Sequence, residues 1–207
     1  MQANNRSSDN KKNPALFKED YYNEVEFTKI NFTEGKTGKI EFYKCIFTSC
    51  LFIKAVFEKC VFEKCTFLNC DLSVVKFIGS SFIDVKFVEN KMIGIDWTII
   101  QKPSRFNFLK CILNDSSFYK MDLRSTQIEE CIAHNSDLEN TDLSKTNCRM
   151  TDFLNAKFGE ADLSYADFTG AINYSINPNK TKLKKAKFSL PEAVSLLDVW
   201  GVQIDGF

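Results

Sequence analysis

The run FYKCIFTSCLFIKAVFEKCVFEKCTFLNCDL, residues 42–72, returns the same residue class at every fifth position: Phe42, Phe47, Phe52, Phe57, Phe62, Phe67 and Leu72. Followed outward, this lattice takes in Phe17, Tyr22, Phe27 and Phe32 before the run, and Phe77, Phe82, Phe87, Met92 and Trp97 after it. Thr37 is its one weak member. After a slip of one residue it resumes at Phe108, Leu113, Phe118, Leu123 and Ile128, and continues through Ala133, Leu138, Leu143, Cys148, Phe153, Phe158, Leu163 and Phe168. Leu183 and Phe188 stand in the same phase. Eighteen of the twenty Phe lie on the lattice, so the lattice is the core.

A five-residue period suits neither regular element. On a helix successive sites would step by about 140°, and on a straight strand they would alternate faces. A chain that turns a corner every five residues keeps one residue per side pointing inward, and four such sides close a square coil. Two residues before each large site the class is small: Cys45, Cys50, Ala55, Cys60, Cys65 and Cys70 early on, Thr141, Thr146, Thr151, Ala156, Ala161 and Ala166 later. Large and small inward residues at fixed offsets are what a narrow close-packed interior requires.

The wider composition agrees. With 207 residues, 44% apolar and 26% charged, the chain is long enough for one domain with a continuous core. Twenty-seven Lys and Arg balance twenty-seven Asp and Glu, so the whole-molecule field that draws a basic protein onto nucleic acid is absent. No run is apolar enough to span a membrane, and the first twenty residues lack the apolar stretch of a signal peptide; a cytoplasmic location is expected.

Candidate chemical sites are few. The eight cysteines invite a metal or disulfide reading, but Cys60, Cys65 and Cys70 are spaced by five, wider than metal loops use. Seven fall on the small inward class and Cys148 on the large one, which makes them core thiols; pairs twenty apart, such as Cys45 and Cys65, stack on adjacent coils. His134 points outward with no lattice neighbour to form a catalytic pair. Gly35-Lys36-Thr37 resembles part of a phosphate loop, but the glycine needed five residues earlier is Ile30. No cofactor, metal or catalytic residue is expected, and the chain is not expected to be an enzyme.

Charge is distributed unevenly. Residues 121–170 hold ten carboxylates against four cations. Asp122, Asp142 and Asp162, twenty apart, form one outward column, with Asp137, Asp152 and Asp167 on neighbouring faces. Two interruptions break the lattice. EGKTGK at 34–39 reads as a loop or bulge around Lys36, and residues 98–107, containing Pro103, carry one residue too many.

The runs CVFEKCTFLNCDL (60–72), SDLENTDLSKTN (136–147) and ADLSYADFTGA (161–171) resemble the pentapeptide-repeat family. The resemblance covers roughly residues 15–190 and implies an all-β fold, a right-handed quadrilateral β-helix of about eight coils and about 38 Å. Residues 1–14, ending in Asn13-Pro14, read as a mobile tail, residues 15–188 as the β-helix, and 189–207 as a cap. There Ser189 and Glu192 form a capping box, Ala193, Val194, Leu197 and Trp200 an apolar stripe on an α-helix over about 190–200, and Val202 to Ile204 a short strand.

The segment NYSINPNKTKLKKAKFSLPEAVSLL (173–197) looks like the C-terminal region of the quinolone-resistance (Qnr), topoisomerase-protecting branch. That resemblance implies a partner, DNA gyrase or topoisomerase IV, met as a partial mimic of DNA without nucleic acid or membrane being bound. It also implies a homodimer through Leu190, Val194, Leu197 and Trp200. The docking residues expected are Asp122, Asp142, Asp162, Asp137, Asp152 and Asp167, with Lys36 and Pro103 as protruding contacts. The alternative is a non-catalytic scaffold or toxin-immunity protein with another partner.

Overall fold

The computed structural model describes residues 16–202 as a right-handed β-solenoid of about eight turns with four walls and a short C-terminal helix. The tail expected over residues 1–14 lies outside the described residues, as do the last residues of the strand expected at Val202 to Ile204; Val202 itself joins no strand. The first wall stacks Tyr21–Asn23, Glu41–Tyr43, Val61–Glu63 and Ser81–Ile83. The second runs from Glu26–Thr28 through Ile46–Thr48, Thr66–Leu68, Val85–Val88 and Phe106–Leu109 to Ile128–Glu129. The third is a ladder of single bridges from Asn31 to Ile172, and the fourth begins with Lys36–Gly38, Val56–Glu58 and Lys76–Ile78. All pairing is parallel, with Phe42 over Phe62 and, after the slip, Phe87 over Phe108.

The residue two after each inward one turns the corner in the left-handed region, from Glu24 (φ 56°) through Lys64 (53°) and Asn140 (58°) to Lys185 (56°). Such a corner costs of order 1 kcal/mol in a residue with a side chain. Stacking inside the coil offsets it. Rings on one wall lie face to face at the rung spacing: Phe42 and Phe62 at 5.0 Å and 6°, Phe47 and Phe67 at 4.5 Å and 9°. Rings on adjacent walls meet edge on, as Phe42 and Phe47 do at 71°, and both arrangements favour the aromatic quadrupole. Phe47, Phe52, Phe57, Phe62, Phe67, Phe153, Phe158 and Phe168 are all buried.

The small inward residues do more than leave room. In many coils the small inward side chain is polar and donates to the carbonyl of the large inward residue 23 positions before it. Cys65 Sγ donates to Phe42 O, Ser80 Oγ to Phe57 O, Asn90 Nδ2 to Phe67 O and Thr151 Oγ1 to Ile128 O. Several also accept from the backbone N–H twenty positions back: Asn90 Oδ1 from Cys70, Ser80 Oγ from Cys60 and Thr151 Oγ1 from Cys131. Where these positions hold Cys, Ser, Thr or Asn rather than Ala, the short polar side chain reaches backbone groups that the buried interior would otherwise leave unpaired.

The interruptions resolve differently from one another. Residues 34–39 form no loop: Lys36–Gly38 pairs in register with Val56–Glu58, Thr37 over Phe57. The space left by Thr37 is filled from the end of the rod by Phe17, whose ring meets those of Tyr22, Phe27, Phe32, Phe42 and Phe57. Phe32 leans over Gly35, where a Cβ would come within 2.6 Å of the ring, so the glycine is required. The extra residue of 98–107 is absorbed by a short 3-10 turn, Trp97–Ile99, and a surface turn that carries Pro103. Phe106, off the lattice, turns inward among Phe82, Phe87, Trp97 and Phe108 to fill the gap. Past Phe168 the coil relaxes at 173–179, where Tyr174 and Ile176 become the buried residues.

The C-terminal helix stands where expected, at Glu192–Trp200, but it is wound as a 3-10 helix. The capping box does not form. Ser189 Oγ instead accepts from Gly170 N and ties the helix approach to the coil below, leaving Pro191 at the N-cap with no side-chain bond. Gly201 ends the helix in the left-handed region (φ 64°) as anticipated.

Phe62→Ala should lower unfolding stability by about 3–5 kcal/mol, as for other buried phenylalanines. Asn90→Leu, close in volume, orphans one N–H and one C=O and should cost about 1–3 kcal/mol for each. Urea unfolding followed through the buried Trp97 checks both; a neutral Asn90→Leu would show that side-chain bonding inside the coil is not required.

Candidate partner-binding face

The aspartates expected on the outer surface are held there by the corner geometry. Each sits immediately before an inward residue, and its Oδ1 accepts the backbone N–H two residues on: Asp122 from Arg124, Asp137 from Glu139, Asp142 from Ser144, Asp152 from Leu154, Asp162 from Ser164 and Asp167 from Thr169. One oxygen of each carboxylate thus shapes the chain.

Asp122, Asp142 and Asp162 bridge one another rung to rung on the first wall, about 4.8 Å apart. Asp167 lies on the second wall, Asp152 on the third and Asp137 on the fourth. Pro103 lies in the surface turn after the 3-10 segment, outside the bridged walls; Lys36 is exposed in a regular strand of the fourth wall and does not protrude. The six aspartates and Lys36 therefore fall on four walls, with three of them on the first, and Pro103 stands apart in its turn.

Cations interleave with the column. The Arg124 guanidinium binds Asp122 at 2.6 Å and reaches Asp142 at 3.6 Å, while Lys182 caps the column 3.3 Å from Asp162. Arg124 accordingly holds the Asp122 carboxyl below its ordinary range. At Asp162 partial burial is the largest influence and acts upward, but Ser164 and Lys182 together outweigh it and the pKa is lowered. Asp152, with Asn173 and His134, and Asp167, with Thr169, Lys187 and Arg149, end in the same direction against the same burial. The pairing of Asp162 with Lys182 was readable from their separation of twenty; the bridging reach of Arg124 was not.

His134 has the neighbour that sequence reading denied it. Its Nε2 lies 2.9 Å from Asp152 Oδ2, because Asp152 sits one coil on at the adjoining row of the third wall. This is a close polar contact, an ion pair only when the imidazole is protonated. All eight cysteines are buried and free, and Cys50 N donates to Cys70 Sγ across one rung. Burial pushes the Cys148 thiol upward. Among the described residues no three His, Cys, Asp or Glu gather as a metal site, and no helix is long and apolar enough to cross a membrane.

Comparison with known proteins places this geometry. The family profile described as a pentapeptide repeat region matches residues 40–118, and that for eight-copy pentapeptide repeats matches 122–158 and 136–172. A trypsin-treated variant of QnrB1, a plasmid-mediated fluoroquinolone resistance protein, is similar in structure at 17% identity, with a TM-score of 0.70 over 89% of this chain and 97% of that one. Full-length QnrB1 gives 16%, 0.61, 88% and 100%. HetL, a pentapeptide repeat protein involved in heterocyst differentiation regulation from the cyanobacterium Nostoc sp. strain PCC 7120, gives 15%, 0.58, 80% and 84%. No curated protein matches the sequence.

The depressed carboxyls set an acid limit. A group whose pKa is lower folded than unfolded contributes stability above its unfolded value, and that contribution is lost as pH falls through the folded value. For Asp122, Asp152, Asp162 and Asp167 the loss should begin near their ordinary value of 3.8 and continue below it. Hydrogen exchange below pH 4 should open the coils of 122–172 before those of 40–90. Asp162→Asn keeps the turn acceptor and removes the charge, and should flatten this dependence locally.

Proposed function

This chain belongs to the pentapeptide-repeat family, and from that premise we propose that it is a binding protein without chemistry of its own, acting in the manner of Qnr proteins. It docks on DNA gyrase or topoisomerase IV in the cytoplasm and protects the enzyme from a quinolone or a similar poison. The observation that carries this reading is the acidic half of the rod: ten carboxylates against four cations over residues 121–170, with Asp122, Asp142 and Asp162 stacked rung on rung in one column. Such a surface competes for the basic groups that grip DNA phosphates, and binds neither nucleic acid nor membrane itself. The sequence resemblance of residues 173–197 to the topoisomerase-protecting branch and the end-to-end likeness in fold to QnrB1 support it.

The second reading, a scaffold or immunity protein with another partner, draws on the likeness to HetL, in which the same coil occurs in a regulator of differentiation.

The active species we propose is a homodimer joined end to end. Leu190 and Trp200 are 69% and 56% exposed, and Val199 and Val202 lie beside them, while Val194 and Leu197 are half-buried. Leu196 packs against the core, so the helix closes the coil on one side and offers apolar surface on the other.

In a supercoiling assay with gyrase and a fluoroquinolone, the protein should restore activity, less so as salt rises. Changing Asp122, Asp142 and Asp162 to Lys should abolish rescue in a folded protein; rescue equal to the wild type would overturn the acidic-wall reading. Light scattering should give a dimer mass that Trp200→Asp with Leu190→Asp reduces to the monomer, and an unchanged mass would exclude the helix as the interface.

A further inference from the structure

The C-terminal end carries a groove that the docking face leaves unused. Between the relaxed segment and the helix lies a cleft of about 340 Å³, walled by Tyr174, Ser175, Ile176 and Asn177 on one side and by Ser195, Asp198 and Val199 on the other. Ser195 also borders a smaller hollow of about 150 Å³ beside Pro191 and Glu192.

The winding of the helix decides what faces this groove. A 3-10 helix has three residues per turn, so Glu192, Ser195 and Asp198 fall in one row along it. At a rise of about 2 Å per residue the two acidic positions stand about 12 Å apart. Among the described residues neither carboxylate has a Lys, Arg or His within ion-pair distance, whereas the acidic wall already holds Arg124 and Lys182. Tyr174, on the opposite side of the cleft, is only 3% exposed, and its hydroxyl has no hydrogen-bond partner. A buried hydroxyl left unpaired in a protein costs roughly 1–3 kcal/mol, which a bound polar group recovers. Burial first, and then the charge of Glu192, push the Tyr174 pKa up to about 12, so the phenol keeps its proton and can accept through its lone pairs.

We propose that this groove binds a linear polyamine, an α,ω-diammonium chain. One ammonium sits at Glu192 and the other at Asp198, the methylenes lie along Ile176 and Val199, and an oxygen of Tyr174 or Asn177 accepts from the secondary nitrogen between them. An ion of smaller span satisfies one carboxylate only. The inference does not rest on topoisomerase binding.

Calorimetric titration of the full chain with spermidine tests it. Saturable binding of one spermidine per chain is expected, weakened about tenfold or more by Glu192→Gln and by Asp198→Asn, both on exposed or half-exposed positions with unchanged thermal unfolding. 1,3-Diaminopropane, too short to span the row, should bind at least as much more weakly. Equal binding by the double variant would place spermidine on the acidic wall as a counterion, and the absence of saturable heat would mean that the groove holds water; either result overturns the proposal.

Discussion

Stacking of each inward side chain on the one twenty residues away is the contact on which the rest of this protein depends. It requires a residue of the same bulk at the same place in every coil, hence the period of five, and it holds the corners in a left-handed backbone that Lys, Glu and Asn do not favour alone. It also makes the interior too narrow for water, so the backbone groups within it must be met by the protein itself. The short polar side chains at the alternate inward sites do this, and their bonds run from coil to coil in the same direction as the rings. Sequence period, backbone strain and interior hydrogen bonding are three consequences of one geometry.

A rod so constructed is suited to presenting side chains in register. Its interior is full, its walls are flat, and any outward residue recurs one rung above another, which converts a preference in sequence into a column in space. Aspartate is favoured before the inward residue because it closes the turn, and the same preference lines up the charge on the first wall. The column is moderated by Arg124 and ended by Lys182, so the wall is acidic in a patterned way. A partner that reads it must meet both the carboxylates and the two cations among them.

The fold was legible in the sequence because the lattice is almost unbroken: the Phe core, the small inward class, the walls on which the six aspartates lie and the relaxation at 173–179 all follow from counting in fives. What escaped depends on contacts between distant residues. Thr37 and Gly35 look like a loop, but the ring of Phe17 fills the space from the end of the rod, that of Phe32 leans over Gly35, and the chain stays in register. Phe106 lies off the lattice and yet fills it. Ser189 and Glu192 have the spacing of a capping box, but the coil below claims the serine hydroxyl, and the helix winds more tightly than its apolar stripe suggests. His134 and Asp152 meet because the coil brings residues eighteen apart onto adjoining rows.

The central claim, that the first wall of coils 122–162 is what a topoisomerase reads, is tested most directly by hydrogen exchange of the protein alone and in the presence of DNA gyrase. The account predicts slowed exchange at the backbone of 122–124, 142–144 and 162–164 in the mixture, reversed by raising salt. Protection confined to the third and fourth walls, or none anywhere at concentrations that alter gyrase activity, would contradict it.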